Sequence, residues 1–165
     1  MARVSSSQPV LPSLLDRLID DDPSSGNEIE RPGSVLLQEM KEGIRRDLEH
    51  LLNTRCAHQL VLDKYPEVEV SVLNYGLPDF SHVQFDSTED RDRFRWAIKT
   101  IIEKFEPRLR RVMVDIVPTG EDYERALYLK ISAVLMVEPD PVPMILDSRM
   151  RTIDRSLRLR EVRHG

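Results

Sequence analysis

One tripeptide, Glu106-Pro107-Arg108, divides the chain into two halves with different hydrophobic periods. Before it, Phe94, Ile98, Ile101 and Phe105 recur at +4, +3 and +4, the spacing of one helical face. After it, from Arg111, Val112, Val114 and Ile116 alternate with Met113 and Asp115, the spacing of a half-buried strand. A proline at the junction lacks an N–H and clashes with the carbonyl four residues back, so the helix has to stop there. Glu106 and Arg108 are therefore expected at a rigid helix-to-strand corner carrying opposite charges.

The rest of the pattern extends both halves. Ser87-Thr88-Glu89-Asp90 reads as a capping box that opens the helix ending at Glu106. On that helix Trp96 falls about 200° from Phe94, opposite the apolar stripe, which makes the lone tryptophan either an interface residue or one covered by another segment of the chain. An earlier helix is expected from Ser34, as N-cap, to about Asn53, with Leu36, Met40, Ile44, Leu48, Leu51 and Leu52 on one stripe and Glu42, Arg45, Arg46 and Glu49 largely off it. Two short strands, Leu60 to Leu62 and Val68 to Leu73, and an ordered turn over Asn74 to Asp79 are expected between the helices. Beyond Pro118-Thr119-Gly120, Leu127, Leu129, Ile131, Ala133, Leu135 and Val137 line the return strand of a hairpin. A third strand is expected around Met144 to Arg149. Ser156-Leu157-Arg158-Leu159-Arg160 alternates as a fourth, with leucines inward, arginines in water and a backbone edge open to a partner strand. Helices followed by antiparallel strands give an α+β fold, a single domain in which two long helices cover one face of an antiparallel sheet.

The N-terminal residues 1–33 read as a tail ahead of a domain over residues 34–165. Within the tail, Leu11, Leu14, Leu15 and Leu18 form a short amphipathic helix, too short to be stable alone, that packs either on this domain or on a partner. Residues 16–30 hold six acids against Arg17, whereas residues 149–163 hold six arginines against Asp154 and Glu161. These are two solvated tails or two docking surfaces of opposite sign. A net charge of −5 disfavours nonspecific nucleic-acid binding. There is no apolar run long enough for a membrane span, nor a secretory core at the N-terminus, so a cytoplasmic protein is expected.

Little in the sequence points to catalysis. Gly-rich phosphate loops, G-x-S-x-G, H-E-x-x-H and C-x-x-C are all absent, so no cofactor and no metal are expected. Cys56 with scattered histidines lacks the spacing of a zinc site and is read as structural. Glycoside hydrolysis needs two carboxylates, one kept protonated, but Arg108 beside Glu106 favours ionisation and works against a general acid. Glu106 and Arg108 then form a local ion pair or cap the helix, or else present a contact surface.

Several segments bear on that choice. Ile44-Arg45-Arg46-Asp47-Leu48-Glu49, then Leu51-Leu52-Asn53-Thr54-Arg55, then Ser71 to Asp79, then Phe105-Glu106-Pro107-Arg108-Leu109, preceded by Pro12-Ser13-Leu14-Leu15-Asp16-Arg17-Leu18, occur in the order found in TssE proteins. Over about residues 11–163 the chain resembles this family of type VI secretion baseplate subunits, related to the baseplate wedge protein of contractile-tailed phages. The resemblance implies a nonenzymatic assembly role, despite the family's association with the name lysozyme. It implies docking of Glu106, Pro107 and Arg108, together with Leu14, Leu15 and Leu18, on the wedge core made by TssF and TssG. It also implies strand exchange with sheath subunits, for which Ser156, Leu157, Arg158, Leu159 and Arg160 are the expected edge. The protein would then work in the cytoplasm, in a baseplate docked at the inner membrane. The rivals are a peptidoglycan-cleaving enzyme and a free-standing adaptor.

Overall fold

The computed structural model describes residues 18, 32–56, 66–69, 71–80, 85, 87–118, 126–138, 140–151 and 156–162. Leu14 and Leu15, most of the N-terminal helix and the strand expected at Leu60 to Leu62 lie outside them. Leu18 is helical and exposed.

Helix α1 runs over Gly33–Asn53 and buries Met40, Ile44, Leu48, Leu51 and Leu52, the stripe expected from its period. Its start differs from expectation. Pro32, not Ser34, is the N-cap, and no side chain caps the helix; instead the Pro32 carbonyl accepts from the amides of Val35 at 2.9 Å and Leu36 at 3.2 Å. Ser34 is already helical. At the far end Thr54 folds its N–H and its hydroxyl back on the His50 carbonyl, at 3.0 and 2.7 Å.

The strand expected over Val68 to Leu73 is absent from the described residues. Pro66–Glu69 forms a single helical turn, α2, followed by a 3-10 turn at Val72–Asn74. Pro66 occupies the first helical position, which suits its fixed φ and missing N–H. The Ser71 hydroxyl donates to the Val68 carbonyl at 2.8 Å and accepts from the Leu73 amide at 3.3 Å, bonds that favour turns over a sheet ladder. The turn after it is ordered as expected. Gly76 has φ +107°, and a Cβ there would lie 2.5 Å from the Thr54 carbonyl oxygen. Only glycine permits that approach. It lets Leu77 exchange bonds with Thr54 and Cys56, both at 2.9 Å.

Helix α3, Thr88–Phe105, opens on Ser87, whose hydroxyl accepts from the Asp90 amide at 3.0 Å. Phe94, Ile98 and Ile102 are its buried residues. Ile101 and Phe105 pack at the margin, so the stripe is centred one residue further on than the +4, +3, +4 reading. Phe80 and Phe85 each meet Phe94 with ring centroids 4.9 Å apart.

Four antiparallel strands follow in the order β1-β2-β3-β4: β1 Leu109–Pro118, β2 Ala126–Leu135, β3 Val142–Arg151 and β4 Leu157–Glu161. The third strand is longer than expected and contains Pro143. Alternation turns the nitrogen of Pro143 away from β2, so the β2–β3 ladder loses no bond there. One sheet face is apolar, with Val112, Val114, Leu129, Ile131, Leu135, Met144, Leu146, Leu157 and Leu159 buried. Helix α3 packs over β1 and α1 over β4, so the two helices share this face from its opposite edges. The fold is the α+β domain expected. A bulge shifts the β1 register between Arg110 and Met113, with Arg111 at φ 54°. The extra residue is what lets Leu109 and Val112 both face the core.

Candidate functional site

The corner at Glu106-Pro107-Arg108 forms where α3 hands over to β1. The helix closes with the Glu106 amide on the Ile102 carbonyl at 2.8 Å, and the Glu106 carbonyl accepts from Leu109 at 3.1 Å. Pro107 stands exposed between them. Glu106, however, is only 5% exposed. Its carboxylate accepts a fork from Arg108, with Nε on Oε1 at 2.6 Å and Nη2 on Oε2. Nη2 also donates to Asp47 Oδ2 of helix α1 at 2.8 Å, and Arg46 adds a longer contact to the other Asp47 oxygen at 3.4 Å. Arg108 Nη1 is buried with no partner among the described residues. The bonds to Glu106 outweigh burial and, with those to Asp47, hold the Arg108 guanidinium well above its ordinary range. Burial, reinforced by the charges of Asp47 and Glu106, pushes the Tyr75 hydroxyl up as well. Its ring packs edge-on to Phe105 at 5.2 Å.

The motif thus serves as a clamp before it is a surface. Glu106 is consumed inside the molecule, whereas Pro107 and the half-buried Arg108 are what it presents outward. The clamp also ties α1 to the α3–β1 corner. Chemically, one guanidinium occupies the lone pairs of both carboxylates that an acid–base pair would need to offer a substrate. Among the described residues no cluster of three or more His, Cys, Asp or Glu could hold a metal ion. The Cys56 thiol lies 3.3 Å from Asn74 Oδ1. No described helix is long and apolar enough to cross a membrane.

Trp96 lies on the outer face of α3, opposite Phe94, Ile98 and Ile102, and is 68% exposed. Among the described residues nothing covers the ring, and the N-terminal segment that could cover it lies outside them. Trp96 is well separated in sequence from the corner, and the two are not in contact among the interactions observed.

The edge at Ser156 to Arg160 requires a correction. Leu157 and Leu159 are buried and Arg158 and Arg160 exposed, as alternation predicts, but the backbone edge is not open. Asn53 of α1 bonds Leu157 twice, its Nδ2 to the carbonyl and its Oδ1 from the amide, both at 2.8 Å. Glu49 Oε2 accepts from the Leu159 amide at 3.3 Å, and Arg45 Nη1 donates to the Leu159 carbonyl at 3.3 Å. Lys41 closes the row with an ion pair to Glu161 at 2.6 Å. Since the Leu157 and Leu159 groups point to α1, those of Arg158 and Arg160 point to β3, and the Val162 amide bonding Ile145 at 3.0 Å follows the same alternation. A proline at Arg158 would break the sheet itself, not an outward contact. Sequence reading missed this seam. Its signal was a four-residue polar spacing, Lys41, Arg45, Glu49 and Asn53, that resembled an ordinary solvated face.

Comparison with known proteins places this arrangement. The profile of the family described as baseplate wedge protein gp25 matches residues 38–140. A chain from a solved structure described as the baseplate complex from the type VI secretion system superposes with a TM-score of 0.51 at 15% identity, covering 77% of this chain and 97% of that one. At that identity the likeness is one of fold. No curated protein sequence matches the chain.

Proposed function

Because the chain belongs to the baseplate wedge protein gp25 family, we propose that it is a structural subunit of a type VI secretion baseplate, joining the wedge core to the first ring of the sheath and helping to start sheath assembly. The observation that carries this reading is the family match over residues 38–140, which takes in most of α1, all of α3, the charged corner and the β1–β2 hairpin. The fold likeness to a chain of a type VI baseplate complex agrees with it.

In this proposal the corner is the contact to the wedge core, the subunits TssF and TssG. Glu106 and Asp47 hold Arg108 and the exposed Pro107 in one geometry, so that the partner meets a rigid tip with little ordering left to do. Leu14, Leu15 and Leu18 supply a second, apolar contact, and exposed Trp96 a third. The protein works without a cofactor, as a nonenzymatic part of a cytoplasmic baseplate docked at the inner membrane, and binds no nucleic acid. A peptidoglycan-cleaving activity finds no support in the corner, where both carboxylates are tied to Arg108.

Copurification tests the reading. The tagged full chain is expected to bring down purified TssF–TssG and, with them, sheath subunits, and to leave a peptidoglycan suspension turbid. Failure to bind TssF–TssG, or clearing of the suspension that disappears with Glu106→Gln, would overturn it.

A further inference from the structure

The helices leave one face of the sheet bare. Both α1 and α3 pack on the face of Leu129, Ile131 and Leu146, and among the described residues no element covers the other. Strand register fixes what that other face carries, row by row. At the end near the α3–β1 corner Val134 lies beside Pro143, and the next row holds Met113, Ser132 and Ile145. This half is apolar, and Met113 is 63% exposed. The row after it is charged: Asp115, Lys130, Asp147 and Arg160 stand side by side on β1, β2, β3 and β4. All four are exposed, and none closes an ion pair among the described residues. Last come Tyr128, Arg149 and Arg158, with the Arg149 guanidinium 5.7 Å from the centroid of the Tyr128 ring.

We propose that this face is the contact between two copies of the free chain, packed sheet on sheet about a twofold axis that runs parallel to the strands between β2 and β3. The charged row selects both the partner and the axis. It reads minus, plus, minus, plus from β1 to β4, and reversed it is its own complement. A copy turned about the axis sets Asp115 over the second copy's Arg160 and Lys130 over the second copy's Asp147, and symmetry makes each pair twice. A twofold axis along the row would instead set every one of these charges over itself and Ile145 over Arg149. With the axis along the strands, the apolar half meets the apolar half, Val134 facing Pro143. Tyr128 then faces Arg149, repeating between copies the cation–π contact that each copy makes internally. Packed sheets cross at about 30°, which displaces the outer Asp115–Arg160 pair by about 4 Å, a gap that an arginine side chain spans. Four strands about 4.8 Å apart and rows about 7 Å apart give a footprint of about 500 Å² per copy, hence about 1,000 Å² in all, the size of a weak and reversible interface.

The dimer does not rest on the baseplate reading. Sedimentation velocity of the full chain, in reductant so that Cys56 cannot link copies, tests it. A reversible monomer–dimer equilibrium is expected between about 1 and 300 μM; a monomer throughout that range would overturn the proposal. Asp115→Arg and Arg160→Asp each set two pairs of like charges against one another between copies, and each is expected to weaken the dimer by roughly tenfold or more. Mixed together, the two variants are expected to associate as tightly as the parent, because in the heterodimer both outer pairs again have opposite sign. Either variant dimerising like the parent, or a mixture that stays monomeric, would overturn the proposed axis and the proposal with it. Each substitution also faces a like charge on its own sheet, Lys130 or Asp147, so folding is checked by urea unfolding. Should either variant fail to fold, Met113→Lys decides, since an exposed position tolerates the change. It is expected to weaken the dimer several-fold, and unchanged association would overturn the proposal.

Discussion

Truncating Arg108 should unfold the protein more easily, because among the described residues Arg108 is the only partner shown for the buried Glu106 carboxylate. The Glu106 side chain is 6% exposed, Arg108 23% and Asp47 35%. Removing one partner of a buried pair generally costs about 3–5 kcal/mol, since the other charge is left desolvated and unpaired. Arg108 is nearly a quarter exposed, so water entering the vacated space offsets part of that loss, and the lower end, about 3 kcal/mol, is expected for Arg108→Ala. Against a typical domain stability of about 5–15 kcal/mol this is a large fraction, and for a domain of this size it lowers Tm by about 10 °C. Asp47→Ala removes the more exposed partner and should cost only about 1 kcal/mol. Glu106→Gln with Arg108→Met removes both buried charges together, so the double variant should lose clearly less than the two single losses added, with a coupling of about 1–3 kcal/mol. Urea unfolding with a common slope measures the parent, Arg108→Ala, Asp47→Ala, and the cycle of Glu106→Gln, Arg108→Met and their double variant. If Arg108→Ala melts within about 0.5 kcal/mol of the parent, or the losses simply add, the corner is not a structural clamp. Pull-downs with the corner variants must accordingly be read beside their unfolding curves.

Three other outcomes are expected. Asn53→Ala leaves both Leu157 backbone groups unpaired at the edge and should cost about 2 kcal/mol in the same urea assay; no loss would mean that water replaces the side chain freely. Gly76→Ala forces a Cβ against the Thr54 carbonyl at positive φ and should cost about 2–3 kcal/mol, seen as a lower Tm; an unchanged Tm would show that the turn relaxes. The Tyr75 hydroxyl is raised in the folded state, so its neutral form contributes stability that is fully present below the unfolded tyrosine pKa of about 10 and is lost as pH climbs through the higher folded value. Part of the alkaline destabilisation above that pH should vanish in Tyr75→Phe, as followed by unfolding at pH 9 and 11.

Much of the fold could be read from the sequence where one local rule acted alone. The apolar stripe of α1, the Ser87 cap and the alternation in β2 and β4 needed only periodicity and a capping hydroxyl, and the structure has them. The failures came where two rules competed or a distant residue intervened. Val68 to Leu73 is rich in β-branched residues, but Pro66 starts a helical turn and the Ser71 hydroxyl stabilises a bend, so local hydrogen bonding prevailed over propensity. Leu109 was out of phase with Val112 because Arg111 sits in a bulge, which period counting does not see. At the corner, proline correctly located the turn and the opposite charges. Local sequence did not reveal that Glu106 is buried, nor that Asp47, 61 residues from Arg108, shares its guanidinium. The closed edge of β4 was hidden for the same reason, since Asn53 and Leu157 are 104 residues apart.

That last separation has a consequence for how the protein is made. Helix α1 leaves the ribosome 104 residues ahead of the strand that caps its polar row. At roughly 5–20 residues per second, the intervening chain takes about 5–20 s to emerge. For that interval the nascent chain has the Met40, Ile44 and Leu48 stripe without the far side of its sheet, and a helix of this length is marginal in water without packing. Hairpin β1–β2 and helix α3, whose contacts are closer in sequence, are free to assemble meanwhile. The seam of Lys41, Arg45, Glu49 and Asn53 on β4 is then the final closure, and a ribosome stalled before Leu157 releases a chain whose first long helix has nothing to close upon.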